Sequence, residues 1–188
     1  MNYYRNRFRS NVVERCDGCV AHVVRGIIEA QDRVEECECT TSCEASLHQL
    51  LHPRSKDDLG PSNTTIPLML YCKSTCQPYV GHGISRGYDN DKSFFECLKS
   101  PIFRAKKFIG ESECCVKLEL LLPIDANGEL HVCSDSDVCS NFPADCPICD
   151  FLATGVCITV DLEQFMGVTC LDPIRPVPAS EFLSPTKY

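Results

Sequence analysis

Sixteen cysteines in 188 residues carry whatever chemistry this chain has. Thiols can hold a metal, exchange electrons or join pieces of chain covalently. Two pairs have C-x-x-C spacing: Cys16 with Cys19, inside an apparent helix, and Cys146 with Cys149 across Pro147-Ile148. Thiolates from Cys133, Cys139, Cys146 and Cys149 would complete a tetrahedral zinc site, but the intervals between them match no finger pattern. A redox C-x-x-C needs surroundings that lower a thiol's pKa. Here Asp145 and Asp150 flank the pair and push the other way. Covalent joining is the favoured use. The cross-linking candidates are Cys16, Cys19, Cys37, Cys39, Cys43, Cys76, Cys139, Cys146 and Cys149, all in solvent-prone segments. Cys114 and Cys115 join them, because neighbours on a strand point to opposite faces, so one thiol is buried while the other faces out. Cys97, Cys157 and Cys170 lie in apolar strands and are expected to be buried. Which thiol pairs with which is not readable from spacing.

Other catalytic patterns are missing. The five histidines are scattered without H-E-x-x-H, and no G-x-S-x-G, phosphate loop or dinucleotide fingerprint occurs. Gly81-His82-Gly83 reads as a tight turn. The expectation is a non-enzyme without a cofactor. A net charge of −8 disfavours nucleic acid and anionic membrane as partners, and without Trp there is no rich stacking platform. Hydrophobic residues at 44% and charged residues at 23% fit a folded chain. The basic start, Met1 to Arg9, is not followed by the apolar run of a signal peptide, and no later stretch is long and apolar enough to span a membrane. Abundant cysteine without such a signal suggests thiols kept reduced in the cytosol and oxidised later.

The elements that must position these thiols divide into helix and strand. Residues 1–11 form a basic arm. From 12 to 36, Cys16, Cys19, Val20, Val23, Val24, Ile27, Ile28 and Val34 recur at spacings of three and four, predicting an amphipathic helix. Asn11 and Glu14 make its capping box. A short helix follows over Glu44 to Leu51, then a loop from Pro53 to Thr64. Residues 65–172 change period. Strands are predicted at Ile66–Cys72, Pro78–His82, Phe94–Leu98, Ile102–Ile109, Cys114–Leu122, Glu129–Cys133, Val156–Leu162 and Phe165–Cys170. Asn127-Gly128 predicts a hairpin joining Val116–Leu120 to Glu129–Val132. The expected fold is mainly β (α+β): one domain over 12–172, an antiparallel sandwich or barrel-like body with an N-terminal amphipathic helix. Residues 173–188, rich in proline, are expected to be an extended, mobile tail.

A family resemblance rests on motifs standing in one order. These are Cys39-Thr40-Thr41-Ser42-Cys43, Thr64-Thr65-Ile66-Pro67-Leu68-Met69-Leu70-Tyr71, Phe94-Phe95-Glu96 with Phe103-Arg104, the run from Cys114-Cys115-Val116 to Pro123-Ile124-Asp125, and Cys157-Ile158-Thr159-Val160-Asp161-Leu162 leading to Cys170-Leu171-Asp172-Pro173. Together with Cys19-Val20 and Val34-Glu35-Glu36, they make residues 16–173 similar to the spore coat protein Y/Z family of endospore-forming bacteria. The resemblance implies a structural protein of the outer coat or exosporium. It implies synthesis in the mother-cell cytosol and self-assembly with its own copies, as cyclic units such as hexamers, into ordered sheets stabilised by disulfides. Other coat and exosporium proteins would be further partners. Gln164 and Met166 replace expected cysteines, Cys133 to Thr154 is extra sequence, and Gly81-His82-Gly83 stands where an aromatic is usual. These departures imply a diverged relative and keep open an adaptor that docks filaments or glycoproteins to the spore surface.

Overall fold

The computed structural model describes residues 23–24, 26–28, 31, 41–52, 63–89, 92–110, 114–131 and 138–182, with backbone alone at 88–89 and 181–182. The chain divides into two compact units, Met1–Cys39 and Thr40–Tyr188. In the first, the described positions are helical and include Val23, Val24, Ile27 and Ile28 of the expected stripe. The remainder of the 12–36 helix and the arm at 1–11 lie outside the described residues.

The second unit is mainly β. Helix α1 (Cys43–Leu51) opens it, with the Ser42 side chain accepting a bond from the Ala45 N–H as N-cap. Strands follow as β1 (Leu68–Cys72), β2 (Gly81–Asp89), β3 (Lys92–Ser100), β4 (Phe103–Ile109), β5 (Cys115–Asp125), β6 (Ile148–Asp161), β7 (Phe165–Cys170) and β8 (Val177–Pro178), then a short helix α2 (Ala179–Phe182). Six of them form one sheet in the order β7-β1-β4-β5-β6-β8, and β2 pairs with β3 as a separate ribbon. Every pairing is antiparallel except β6 with β8. The sheet is thus mixed, and its two end strands do not pair with each other among the described residues.

β5 sits at the centre because its apolar run suits a strand covered on both faces. Val116, Leu118 and Leu120 are buried with Leu70 and Phe103 on one side. Leu121 is buried with Met69, Ile102 and Phe151 on the other. Glu119 is the buried exception. It accepts from Arg104 Nε at 2.7 Å, Lys106 Nζ at 3.2 Å and the Gly155 N–H at 2.8 Å. Burial pushes its carboxyl up, but the Arg104 hydrogen bond, the Gly155 N–H and the two cations outweigh that and hold it below the usual glutamate range.

The ribbon lies over the first of these faces. Gly81 and Gly83 point inward, where a Cβ would meet Phe103, Ile158, Val156 and Leu120. Gly81-His82-Gly83 is therefore strand, not the turn its composition suggested. Its glycines serve close packing between layers rather than chain reversal.

Two further expectations change. The turn at Asp125–Gly128 forms, with Gly128 at φ +81, but among the described residues the returning chain makes only the bridge Ile124↔Leu130. The main partners of β5 are instead β4 and β6, and β6 begins at Ile148, eight residues before the expected Val156. The stretch after Pro173 also joins the sheet: Ile174 bridges Thr65, and Val177–Pro178 pairs with Leu152–Ala153.

Candidate functional site

The thiols are spread over this scaffold rather than gathered. Cys43 and Cys170 form a disulfide across 127 residues of sequence, fastening α1 to the end of β7. Beside it the buried Ser46 hydroxyl donates to the Leu171 carbonyl at 2.8 Å. Cys43, expected to be available for cross-links between molecules, is thus engaged within the chain, and half-buried Cys170 is its partner.

Of the other described cysteines, Cys72, Cys76, Cys97, Cys115, Cys146, Cys149 and Cys157 form no disulfide. Cys76 is exposed on the turn after β1, where its N–H donates to the Cys72 carbonyl and its backbone takes the left-handed φ of +55. Cys114 and Cys115 are both half-buried, so the division into one buried and one outward thiol does not hold. The chain before β5 is still irregular at Cys114, whose Sγ lies 3.9 Å from Glu163 Oε1. Cys139 and Cys149 are exposed, and Cys146 is half-buried. Cys16, Cys19, Cys37, Cys39 and Cys133 lie outside the described residues.

Two thiols expected to be buried are exposed, Cys97 and Cys157. The reason is strand parity. Val156, Ile158 and Val160 pack inward from β6, so Cys157 shares the outward side with Thr159. Cys97 pairs with Ile84 on the outward side of the ribbon, while Leu98 packs against the core. Alternation around Cys157, rather than the mean hydropathy of its segment, marks it as outward. Cys97 shares its side with Phe95, and only the packing of the ribbon on the sheet makes that side the outer one.

Around the C-x-x-C pair the local electrostatics are acidic. Cys146 Sγ donates to Asp125 Oδ2 at 3.3 Å. That bond, then desolvation and the charges of Asp125 and Asp145, push the Cys146 thiol up. Asp125 is held low, first by the Glu129 N–H and also by Cys146 and Asn127, against some desolvation. Cys146 is thus kept protonated, which suits neither a nucleophile nor a metal thiolate. Among the described residues no three of His, Cys, Asp and Glu group as a metal site. Of the four thiols weighed for zinc, Cys133 is outside that set.

Exposed Cys149 lines a depression of about 550 Å³ together with Phe142, Ile148, Phe151, Leu171 and Ile174. The Cys170 end of the disulfide and the exposed Asp172 lie on its wall.

Comparison with known proteins places this arrangement. No solved structure matches the chain. It is 30% identical over 162 residues to spore coat protein Z of Bacillus subtilis (strain 168), covering 85% of this chain and 93% of that protein. The family model for spore coat protein Z matches residues 9–173. The chain belongs to the spore coat protein Z family.

Proposed function

We propose that this protein is a structural, non-catalytic subunit of the bacterial spore coat, or of the exosporium outside it, which assembles with its own copies and is then locked by disulfides between them. The observation that carries this reading is the placement of the free thiols. Cys76 is exposed on the turn after β1, Cys97 on β3, and Cys149 and Cys157 eight residues apart along β6. Thiols spread in this way cannot act together on one substrate, but each can meet a thiol on a neighbouring molecule. The Bacillus subtilis relative is by name a spore coat protein, which supports the coat as the place of assembly. Repeated contacts between identical subunits, each weak alone, hold a member far more strongly than any single contact. Disulfides then make release require bond cleavage.

The test is assembly of the purified protein. Under oxidation it should run as a ladder of high species on a non-reducing gel and collapse to one band with reductant, with ordered sheets or rings visible by negative-stain microscopy. A single monomer band in both lanes, with no particles, would sink the reading.

A further inference from the structure

Two surface features of the second unit match each other in polarity and chemistry. The first is the outward face of the β2–β3 ribbon. Register puts Ile84 opposite Cys97 and Arg86 opposite Phe95, all on the side away from the sheet. Ile84 is 63% exposed and Phe95 75%, a large amount of apolar surface to leave in water. The Arg86 guanidinium stacks over the Phe95 ring at 5.7 Å and donates to Ser93 Oγ at 2.9 Å. His82 and Lys99 continue the face toward the base of the ribbon, and no carboxylate among the described side chains shares it. An aromatic and an Arg beside an aliphatic residue is the composition that concentrates binding energy at interfaces.

The second feature is the apolar depression lined by Phe142, Phe151 and Ile174, with Cys149 and Asp172 among its lining residues. Most of its lining residues fall in the longest stretch of the chain without Lys or Arg. From residue 118 to 174 there are ten carboxylates and no Lys or Arg. Asp145 is exposed and Asp150 half-buried, on either side of the 146–149 pair. The volume is in the range that takes a small organic group, and the walls suit an aromatic ring.

We infer that the ribbon of one copy docks in the depression of the next, with Phe95 and Ile84 seated on its apolar walls, Arg86 against Asp172, and Cys97 brought to Cys149. This rests on the assembly reading and deepens it by naming the contact. Charge complementarity selects a second copy as occupant, because Arg86 stands beside the exposed apolar residues of the ribbon and Asp172 lines the depression of the same chain. Such a contact is head-to-tail and uses different surfaces on the two partners, so it repeats into rings or sheets rather than stopping at a dimer. With oxidised glutathione as oxidant, the Cys97 thiolate attacks the glutathione disulfide and expels one glutathione thiolate. The Cys149 thiolate of the neighbour then attacks the mixed disulfide at the Cys97 sulfur and expels the second. Two protein thiols are oxidised, one glutathione disulfide is reduced to two thiols, and the two protons the protein thiols lose pass to the two glutathione thiolates.

The experiment has two arms on the full chain. In reductant, sedimentation measures association of wild type, Phe95→Asp, Arg86→Glu and the pair Arg86→Glu with Asp172→Arg. These side chains are exposed, so far-ultraviolet circular dichroism should stay that of wild type. Phe95→Asp and Arg86→Glu should each weaken association at least tenfold, and the swapped pair should recover most of the loss. With oxidised glutathione, peptide mass spectrometry should find Cys97 joined to Cys149 of another copy. Wild-type association with both single variants unchanged overturns the proposed contact and leaves assembly standing. So does assembly in which Cys97 is joined elsewhere. Wild type that stays monomeric in both arms overturns the contact and the assembly reading together.

Discussion

The ribbon can carry an interface only if it is held rigidly, and its glycines give a sharp test of how it is held. Gly81 and Gly87 both have negative φ, so alanine fits the backbone at either position and the comparison isolates packing. A Cβ at Gly81 would stand 2.6 Å from Phe103 Cε1 and 2.8 Å from Ile158 Cδ1. Phe103 is fully buried, stacked on Tyr79, and cannot swing away. The three atoms nearest a Cβ at Gly87 all belong to the Phe94 ring, which is 44% exposed and can swing toward water. Overpacking a core costs about 1–3 kcal/mol, and the site at Gly81 belongs near the top of that range. Alanine returns about 0.5 kcal/mol at either site by restricting the unfolded chain. The expected net loss is about 2 kcal/mol for Gly81→Ala and near zero for Gly87→Ala. With a denaturant slope of about 2 kcal/mol per molar urea, the midpoint of Gly81→Ala should fall by roughly 1 M and that of Gly87→Ala should hardly move. The assay is urea unfolding followed by circular dichroism on protein whose free thiols have been alkylated. Equal midpoints for the two variants would refute the close approach of ribbon to sheet.

Two further expectations follow from the same scaffold. The Cys43–Cys170 bridge closes a loop of 127 residues, so chain entropy alone lets it stabilise the fold by up to about 5 kcal/mol. Replacing both cysteines by alanine should lower the urea midpoint by more than any single surface substitution, and a difference under about 1 kcal/mol from the oxidised parent would argue that the bond is not made. Glu119→Gln removes a buried charge from Arg104 and Lys106 and should cost roughly 2 kcal/mol at pH 7. Because the folded carboxyl is held below its unfolded value, its contribution is complete above the usual glutamate range and is lost as pH falls through the lowered folded pKa. The parent should therefore lose stability in acid more steeply than Glu119→Gln. Parallel pH profiles of unfolding free energy would exclude a role for this carboxylate.

What could be read in the chain was what depends on near neighbours. Apolar and β-branched runs bounded by turn residues gave away β1, β4, β5 and β7 to within three residues at each end. The extent of α1 and the turn at Gly128 were also local and also visible. Several of the misreadings share one cause. At Gly81 and Gly83, glycine meant absence of a side chain beneath a second layer, and no neighbouring residue tells that use from a turn. The pairing of Cys43 with Cys170 and the walls of the depression, drawn from Phe142, Ile148 and Phe151 on one side and Leu171 and Ile174 on the other, exist only once β6 and β7 are in place. Cys157 differs, because the parity that exposes it is written in its neighbours Val156, Ile158 and Val160, whereas Cys97 shares its side with Phe95 and is outward only because the ribbon packs on the sheet by its other face. For a protein whose chemistry is thiols on a surface, this distinction decides function. A half-turn about the strand separates a core cysteine from one that can reach another molecule, and alternation read together with the face that packs decides which it is.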